Sequence, residues 1–193
     1  MNPTVHRILF CLMIMALLVA CASPPSRYYT LSRAQERQLQ SASSAGVAVG
    51  PVTIPESVNR PEMVLLVGPN RVALDEFNRW AGPLQADIQR VIMENLAQLL
   101  GTVRMTRYPQ GAITSPDFRV EIDVLRFELA PGDASFLDAL WTVRGKSEKA
   151  VKTGRTTLRE PVTGESYDAL VAAQSRALGT LSRDLAETIL TLQ

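Results

Sequence analysis

Histidine and cysteine are nearly absent from this chain of 193 residues. It contains one histidine, His6, and two cysteines, Cys11 and Cys21, so neither residue type occurs after position 21. The chain beyond that point cannot form a Cys/His zinc site, an internal disulfide, or a Ser-His-Asp or Cys-His catalytic arrangement. Glycine loops of the GxxxxGKS/T or GxGxxG type, which bind phosphate groups, are also missing. We therefore expect no metal, no cofactor and no enzymatic activity.

Long apolar runs are equally scarce, with a single run of 13 residues at positions 8–20 (ILFCLMIMALLVA). As a helix this run would be about 20 Å long, whereas the apolar core of a bilayer is about 30 Å thick. The length suits the apolar region of a secretory signal peptide, which has roughly 7–15 residues. We predict a signal peptide over residues 1–20, with Arg7 as its one charged side chain.

The end of the apolar run matches the lipobox of bacterial lipoproteins, Leu18-Val19-Ala20-Cys21. This motif predicts cleavage before Cys21 and attachment of S-diacylglyceryl and N-palmitoyl groups to that residue, which anchors the protein to a membrane. The alternative is an ordinary secreted protein with a cysteine near its cleavage site. Ala22 stands where an aspartate would retain the lipoprotein in the inner membrane of enteric-type bacteria, so we expect the outer membrane. Residues 21–26 would form a short lipidated tether.

The charges of the chain are balanced after this cleavage. Removing Arg7 from the 20 basic residues leaves 19, which equals the 19 acidic residues. Nucleic acid is therefore not an expected partner, because nucleic-acid binding needs a basic surface. The balanced total charge does not exclude a local basic patch.

The composition also does not exclude a hydrolase that uses two carboxylates. Such an enzyme would need two buried carboxyl groups about 5–9 Å apart.

Hydrophobic periodicity predicts one α+β domain over residues 27–193, with an antiparallel-rich β-sheet and two main helices packed on it. Apolar residues at spacings of three and four predict the helices at about 84–100, before Gly101, and 167–192, after the N-cap Ser166. Alternation from Phe118 onward changes phase near Leu125, which indicates a β-bulge. A hairpin is predicted around the turn at 68–70, and further strands at 28–31, 47–54, 103–108, 137–143 and 150–159. Pro51 predicts that the second strand lies at an edge or carries a bulge.

Four apolar or aromatic residues are candidates for a partner or oligomer interface: Tyr28, Tyr29, Phe136 and Leu140. Trp141 is in phase with the apolar residues of its strand, so Phe136 and Leu140 have the opposite parity and would face outward. Either these two residues form an interface, or they are covered by the long helix or by a loop. The two tyrosines either pair into the sheet or line a ring of subunits close to the lipid surface. Trp80 is expected in the core.

Several short motifs, taken together in their order, resemble a known family. They are the lipobox, Tyr28-Tyr29-Thr30-Leu31, Arg60-Pro61, the segment RWAGPL at 79–84, Ala139-Leu140-Trp141, and AAQSRAL at 172–178. This order is similar to that of the PqiC/YmbA-like ABC-type transport auxiliary lipoproteins, over essentially the whole chain after the signal peptide.

The resemblance implies a non-catalytic role beside MCE-type lipid transport systems, which support envelope integrity. The lipoprotein would lie on the inner leaflet of the outer membrane, with its domain in the periplasm, and dock an MCE-domain protein. It also implies homo-oligomers, with a ring as the expected arrangement. The competing hypothesis is an envelope assembly lipoprotein of a secretion or cell-wall complex, which would share the anchor and the α+β class.

Overall fold

The fold is taken from a computed structural model, which describes residues 24–35, 37–39, 44–109, 115–146 and 150–193, together with Thr4 and Arg7. Cys21, the rest of the predicted signal peptide and the start of the tether lie outside the described residues. The described part contains eight strands and two helices. They are β1 (Arg27–Tyr29), β2 (Val47–Thr53), β3 (Glu62–Gly68), β4 (Arg71–Trp80), α1 (Leu84–Leu100), β5 (Met105–Arg107), β6 (Phe118–Ala130), β7 (Ala134–Gly145), β8 (Val151–Pro161) and α2 (Tyr167–Thr191).

All eight strands belong to one sheet, in the order β1-β4-β3-β6-β2-β5, with β7 and β8 continuing from the other side of β6. The pairs β3–β4, β6–β7 and β7–β8 are antiparallel, but β1–β4, β2–β5, β2–β6 and β3–β6 are parallel. The α+β prediction is confirmed, and its antiparallel-rich detail holds only in part: the longest ladders, β6–β7 and β7–β8, are antiparallel, but the sheet is mixed. The alternation of apolar and polar residues along a strand shows which side chains are buried, but it does not show the direction of the neighbouring strand. The sequence therefore could not predict the parallel pairs between distant segments.

The two helices pack against each other and against the sheet, α1 on β2 and β5 and α2 on β6, β7 and β8. Each presents an apolar stripe at three- and four-residue spacing, such as Ile88, Ile92 and Leu96 in α1, all fully buried. Gly101 ends α1 in the left-handed conformation (φ 62°), which glycine adopts at little cost. Ser166 Oγ accepts a hydrogen bond from Ala169 N–H at the start of α2, as its predicted N-cap role requires.

The predicted irregularities of two strands are also present. The pairing of β6 with β7 shifts between Val124 and Arg126, so Leu125 is the bulged residue. The pairing of β2 with β6 shifts between Val49 and Val52, which places a bulge at Pro51. The edge alternative for this strand is wrong, because β2 lies between β6 and β5; the bulge removes the need for a ladder hydrogen bond from proline.

The segment that follows β1 is fastened to both helices. Leu31 N–H donates to Asp87 Oδ2 at 2.8 Å, and Arg90 Nη2 donates to Leu31 O at 2.7 Å. Ser32 N–H donates to Ser175 Oγ on α2 at 3.1 Å, and Leu31 itself is fully buried. The chain next to the predicted tether is therefore a fixed part of the domain.

Among the described residues, no helix is both long enough and apolar enough to cross a membrane.

Trp141 of β7 lies over the backbone of β8. It pairs with Gly154, and its indole Nε1–H donates to Thr156 Oγ1 at 3.0 Å, which in turn donates to Asp184 Oδ2 on α2 at 2.6 Å. A Cβ atom at Gly154 would lie 2.2 Å from Cζ2 of Trp141. The glycine thus makes room for the indole, and the hydrogen bonds hold the ring in place.

Asp75, in the middle of β4, joins this strand to the start of α2. Its carboxylate accepts hydrogen bonds from Phe77 N–H and Asn78 N–H, each at 2.9 Å, and from the hydroxyl of Tyr167. Burial opposes ionisation, but the Tyr167 hydroxyl and Asn78 outweigh it and lower the pKa of Asp75 below its ordinary value. Burial, followed by the bond to Asp75, raises the pKa of Tyr167.

Gly154→Ala should lower the free energy of unfolding by about 1–3 kcal/mol, because the new methyl group overpacks the site against Trp141. Gly82→Ala is the matched control, since a Cβ at Gly82 meets nothing within 4 Å. Urea denaturation of both variants measures the difference. Equal stability of the two variants would show that the indole moves freely.

Tyr167→Phe should lower stability at neutral pH by about 1.5–3 kcal/mol, the range for a hydrogen bond to a charged group. Because the pKa of Asp75 is lowered in the folded protein, its contribution to stability is present above its unfolded pKa of about 4 and is lost as the pH falls below that value. Because the pKa of Tyr167 is raised in the folded protein, its contribution is present below its unfolded pKa of about 10 and is lost as the pH rises above that value. The difference in stability between the wild type and Tyr167→Phe should therefore shrink at both extremes. Denaturation across the pH range, with the exposed Tyr28→Phe as control, checks this; a pH-independent difference would contradict it.

Candidate functional site

The two candidate tyrosines of β1 have different environments. Both backbones pair with β4, Tyr28 opposite Arg79 and Tyr29 opposite Trp80. The hydroxyl of Tyr29 donates to Asn78 Oδ1 at 2.9 Å, and its ring centroid lies 5.8 Å from that of Tyr167. Tyr28 is 65% exposed. Tyr29 is therefore a structural residue of the β1 edge, and Tyr28 is the one with a free surface.

Beside this edge lies a cleft of about 380 Å³, which we name the Trp80 notch. Trp80 N–H donates to Pro61 O at 2.8 Å, and Ala81 N–H donates to Tyr29 O at 2.8 Å. These two bonds bring together three of the sequence motifs singled out above, those at 28–31, 60–61 and 79–84. The notch is lined by Asn59, Arg60, Pro61, Trp80, Ala81, Gly82, Pro83 and Leu84.

Trp80 forms the inner wall of the notch and also belongs to the core. It is 5% exposed, and its ring centroid lies 6.4 Å from that of Phe127 on β6. Its predicted core position is confirmed. The notch thus combines a rigid aromatic wall with the prolines at 61 and 83, which suits an apolar side chain of another molecule.

A small ionic group stands next to the notch. Glu62 accepts a hydrogen bond from Arg60 Nε at 3.1 Å and forms an ion pair with Arg79 Nη2 at 2.8 Å. The hydrogen bond from Arg60 is the main cause that holds the pKa of Glu62 below its ordinary value. Two guanidinium groups facing one carboxylate leave an excess positive charge here, so the notch can combine an apolar contact with an acidic or carbonyl group of a partner.

α2 covers the face of β7 that carries Leu137 and Ala139. Phe136 and Leu140 lie on the opposite, outer face of this strand. Phe136 is half-buried under the guanidinium of Arg126, 4.1 Å from its ring centroid, whereas Leu140 is 43% exposed. The helix does not cover this pair, and arginine covers only the phenylalanine.

Asp138 lies between these two residues along β7. Its carboxylate forms an ion pair with Arg155 at 2.5 Å, and this contact is the main cause that lowers the pKa of Asp138. Asp138 is the only buried carboxylate among the described residues. The described part of the chain also contains no group of three or more His, Cys, Asp or Glu side chains that could hold a metal ion. The paired-carboxylate alternative therefore lacks its second buried group within the described residues.

The structure does not gather the four candidate interface residues into one surface. Three strands, β4, β3 and β6, separate β1 from β7. Sequence reasoning also missed the Arg60–Glu62–Arg79 group, although each of its residues stands in or beside a recognised motif. The missing information was the pairing of Glu62 with Arg79 across β3 and β4.

Two solved structures share this fold. One is an uncharacterized protein, with a TM-score of 0.71 and 16% identity over 86% of this chain and 99% of that chain. The other is protein XCC0632 from Xanthomonas campestris, of the DUF330 family, with a TM-score of 0.65 and 16% identity over 86% and 96%. At this identity they establish the fold alone. The sequence matches no curated protein.

A family model provides the assignment. The model described as "ABC-type transport auxiliary lipoprotein component" matches residues 29–186, a span that contains the Trp80 notch and most of both helices. It confirms the resemblance seen in the sequence motifs. The family consists of auxiliary components of transport systems and is not a known enzyme family. This chain belongs to the family of ABC-type transport auxiliary lipoprotein components.

Proposed function

We propose that this protein is a lipoprotein anchored through Cys21 to the inner leaflet of the outer membrane, where it docks an MCE-domain protein of an ABC-type lipid transport system that supports envelope integrity. Its role is non-catalytic. The observation that carries the proposal is the family assignment over residues 29–186, together with the hydrogen bonds that join three of the sequence motifs at and beside the Trp80 notch.

The position of the anchor supports a role close to the membrane. Residues 24–26 are exposed, and β1 begins directly after them. Six tether residues, 21–26, span at most about 20 Å even when fully extended. Because residues 27–34 are fastened to the sheet and to both helices, the lipid would hold the start of β1, and the side of the domain next to it, within that distance of the bilayer.

The Trp80 notch is the surface that we assign to the MCE-domain partner. Its apolar walls can receive one large side chain, and the exposed guanidinium of Arg60 can reach a carbonyl or carboxylate of the partner. Interfaces concentrate binding energy in such pockets, where one buried side chain is surrounded by polar contacts. The outer face of β7, with Leu140 exposed, is the surface that we assign to contact between copies in a homo-oligomer.

Cys21→Ala should abolish labelling of the protein by radioactive palmitate and release it from the membrane fraction, or leave it as an uncleaved precursor. The reason is that the thiol of Cys21 is the attachment point and the signal that the lipoprotein peptidase recognises. Cys11→Ala is the matched control and should be labelled like the wild type. Labelling that survives Cys21→Ala would refute the anchor.

Gly82→Trp should reduce capture of the MCE-domain partner about tenfold or more, equivalent to about 1.4 kcal/mol. The new indole would stand at the mouth of the notch, where a Cβ meets nothing within 4 Å, so the fold should persist. Val103→Trp adds the same ring at a side chain that is 97% exposed just before β5 and does not line the notch.

The measurement is a pull-down of the MCE-domain protein by the acylated wild type and both variants in mild detergent, with the circular dichroism spectrum as a check of folding. If the wild type captures no partner, the docking role is wrong. If Gly82→Trp captures as much as Val103→Trp, docking uses another surface.

A further inference from the structure

The end of the β3–β4 hairpin, residues 66–74, exposes apolar side chains on both of its faces; we name this segment the hairpin tip. Val72 is 55% exposed and Leu74 is 46% exposed. Val72 pairs with Leu66 and Leu74 with Val64, so these two share one face, and Ala73 between them is exposed on the other face. Val67, the extra residue where the pairing shifts between Leu66 and Gly68, is 41% exposed. A sheet strand that only covers a core would bury one of its faces.

The pairing of β1 determines where the tether leaves the domain. β1 runs parallel to the last residues of β4, with Arg27 opposite Asn78 and Tyr29 opposite Trp80. The chain that precedes Arg27 therefore leaves the sheet on the side where β4 begins, which is the side of the hairpin tip. An antiparallel pairing would have directed the tether away from it.

The lengths on this side of the molecule agree. From Asn78 back to Val72 there are six residue steps along β4, at most about 20 Å at the rise of a strand, because the pairing with β3 shifts between Asp75 and Arg79. From Arg27 back to Cys21 there are also six steps, which span at most about 20 Å. The acylated cysteine can thus reach the level of the hairpin tip.

The charge of the hairpin tip suits a lipid surface. Arg71 is its only charged residue, and it is exposed next to the turn. The nearest acidic residue along the sequence, Asp75, binds Tyr167 and Asn78. Apolar residues with a flanking arginine are the composition that binds the boundary between headgroups and acyl chains.

We propose that the hairpin tip is a second membrane contact, which enters the headgroup–acyl boundary of the leaflet that holds the lipids of Cys21. Val67, Val72 and Leu74 contact acyl chains, and Arg71 contacts headgroup phosphates. The inference rests on the proposed anchor, because a few apolar side chains bind a bilayer weakly by themselves, whereas tethering makes their insertion effectively intramolecular. Anchor and tip together would set the orientation of the Trp80 notch relative to the membrane.

A second copy of the chain is the competing occupant. Within the described residues, β1 covers only the last three residues of β4, so the edge from Arg71 to Phe77 has no neighbouring strand on that side and could pair with another strand. Apolar exposure on both faces and the position of the anchor favour lipid, because edge pairing would leave both faces of the tip exposed.

A single thiol probe can test this in the mature acylated protein. The thiol of Cys21 carries lipid and Cys11 is removed with the signal peptide, so Val72→Cys provides one free thiol for a polarity-sensitive fluorophore. Val103→Cys is the matched control. It precedes β5, which runs parallel to β2, as β2 and β3 do to β6, so it lies at the end of the sheet where β3 begins and not at the hairpin tip. Leu74→Cys, on the same face as Val72, gives an independent reading should the first substitution disturb the hairpin.

The labelled proteins are reconstituted into vesicles of phosphatidylethanolamine and phosphatidylglycerol in equal parts, with and without spin-labelled lipid. We expect a blue-shifted emission at positions 72 and 74 that spin-labelled lipid quenches severalfold more strongly than at position 103. Equal, water-like emission at all three positions on vesicle-bound protein would overturn the hairpin contact and leave the anchor intact.

Two other results would also overturn the proposal. Shielding at position 72 that is already present in detergent, and that spin-labelled lipid does not quench, would assign the tip to a second copy. Protein that fails to float with the vesicles would refute the anchor itself and the hairpin contact with it.

Discussion

The parallel pairing of β1 with the last three residues of β4 is the contact on which the functional surfaces of this protein depend. It holds Ala81, which lines the Trp80 notch, through the bond from Ala81 N–H to Tyr29 O. It also directs the preceding chain, and the proposed lipid at Cys21, toward the hairpin tip. Three residue pairs would hold such a strand weakly by themselves. The clamp of Leu31 between Asp87 and Arg90, and the burial of Leu31, complete the attachment.

The magnitudes of the interactions divide the molecule into a stabilising interior and a positioning surface. Each large apolar side chain buried between the helices and the sheet contributes roughly 1.5–3 kcal/mol. Ion pairs at half-exposed sites, such as Arg126 with Glu128 or Arg144 with Glu121, contribute at most about 1 kcal/mol each. The Arg60–Glu62–Arg79 group is therefore better understood as a means of orienting two guanidinium groups beside the notch than as a source of stability.

The combination of anchor, hairpin tip and notch has a consequence for the proposed transport role. A lipid on a flexible tether would leave the domain free to rotate, and the notch would face a partner only part of the time. Two membrane contacts restrict this rotation, so the notch would keep one height and one direction above the bilayer. Such preorganisation lowers the entropic cost of docking, which suits a component whose role is to receive another protein.

The sequence by itself determined the elements whose signals are local: both helices with the Ser166 and Gly101 caps, the bulge at Leu125 and the strand β8. It also revealed the family, because the motifs keep their order along the chain, and it predicts the lipid at Cys21. Only the tertiary structure decided the strand directions, the Trp80 notch and the side of the domain on which the tether leaves. These depend on contacts between segments far apart in the chain, such as Tyr29 with Ala81 and Glu62 with Arg79. A periodic pattern records burial of one segment at a time and carries no information about which distant segment lies beside it.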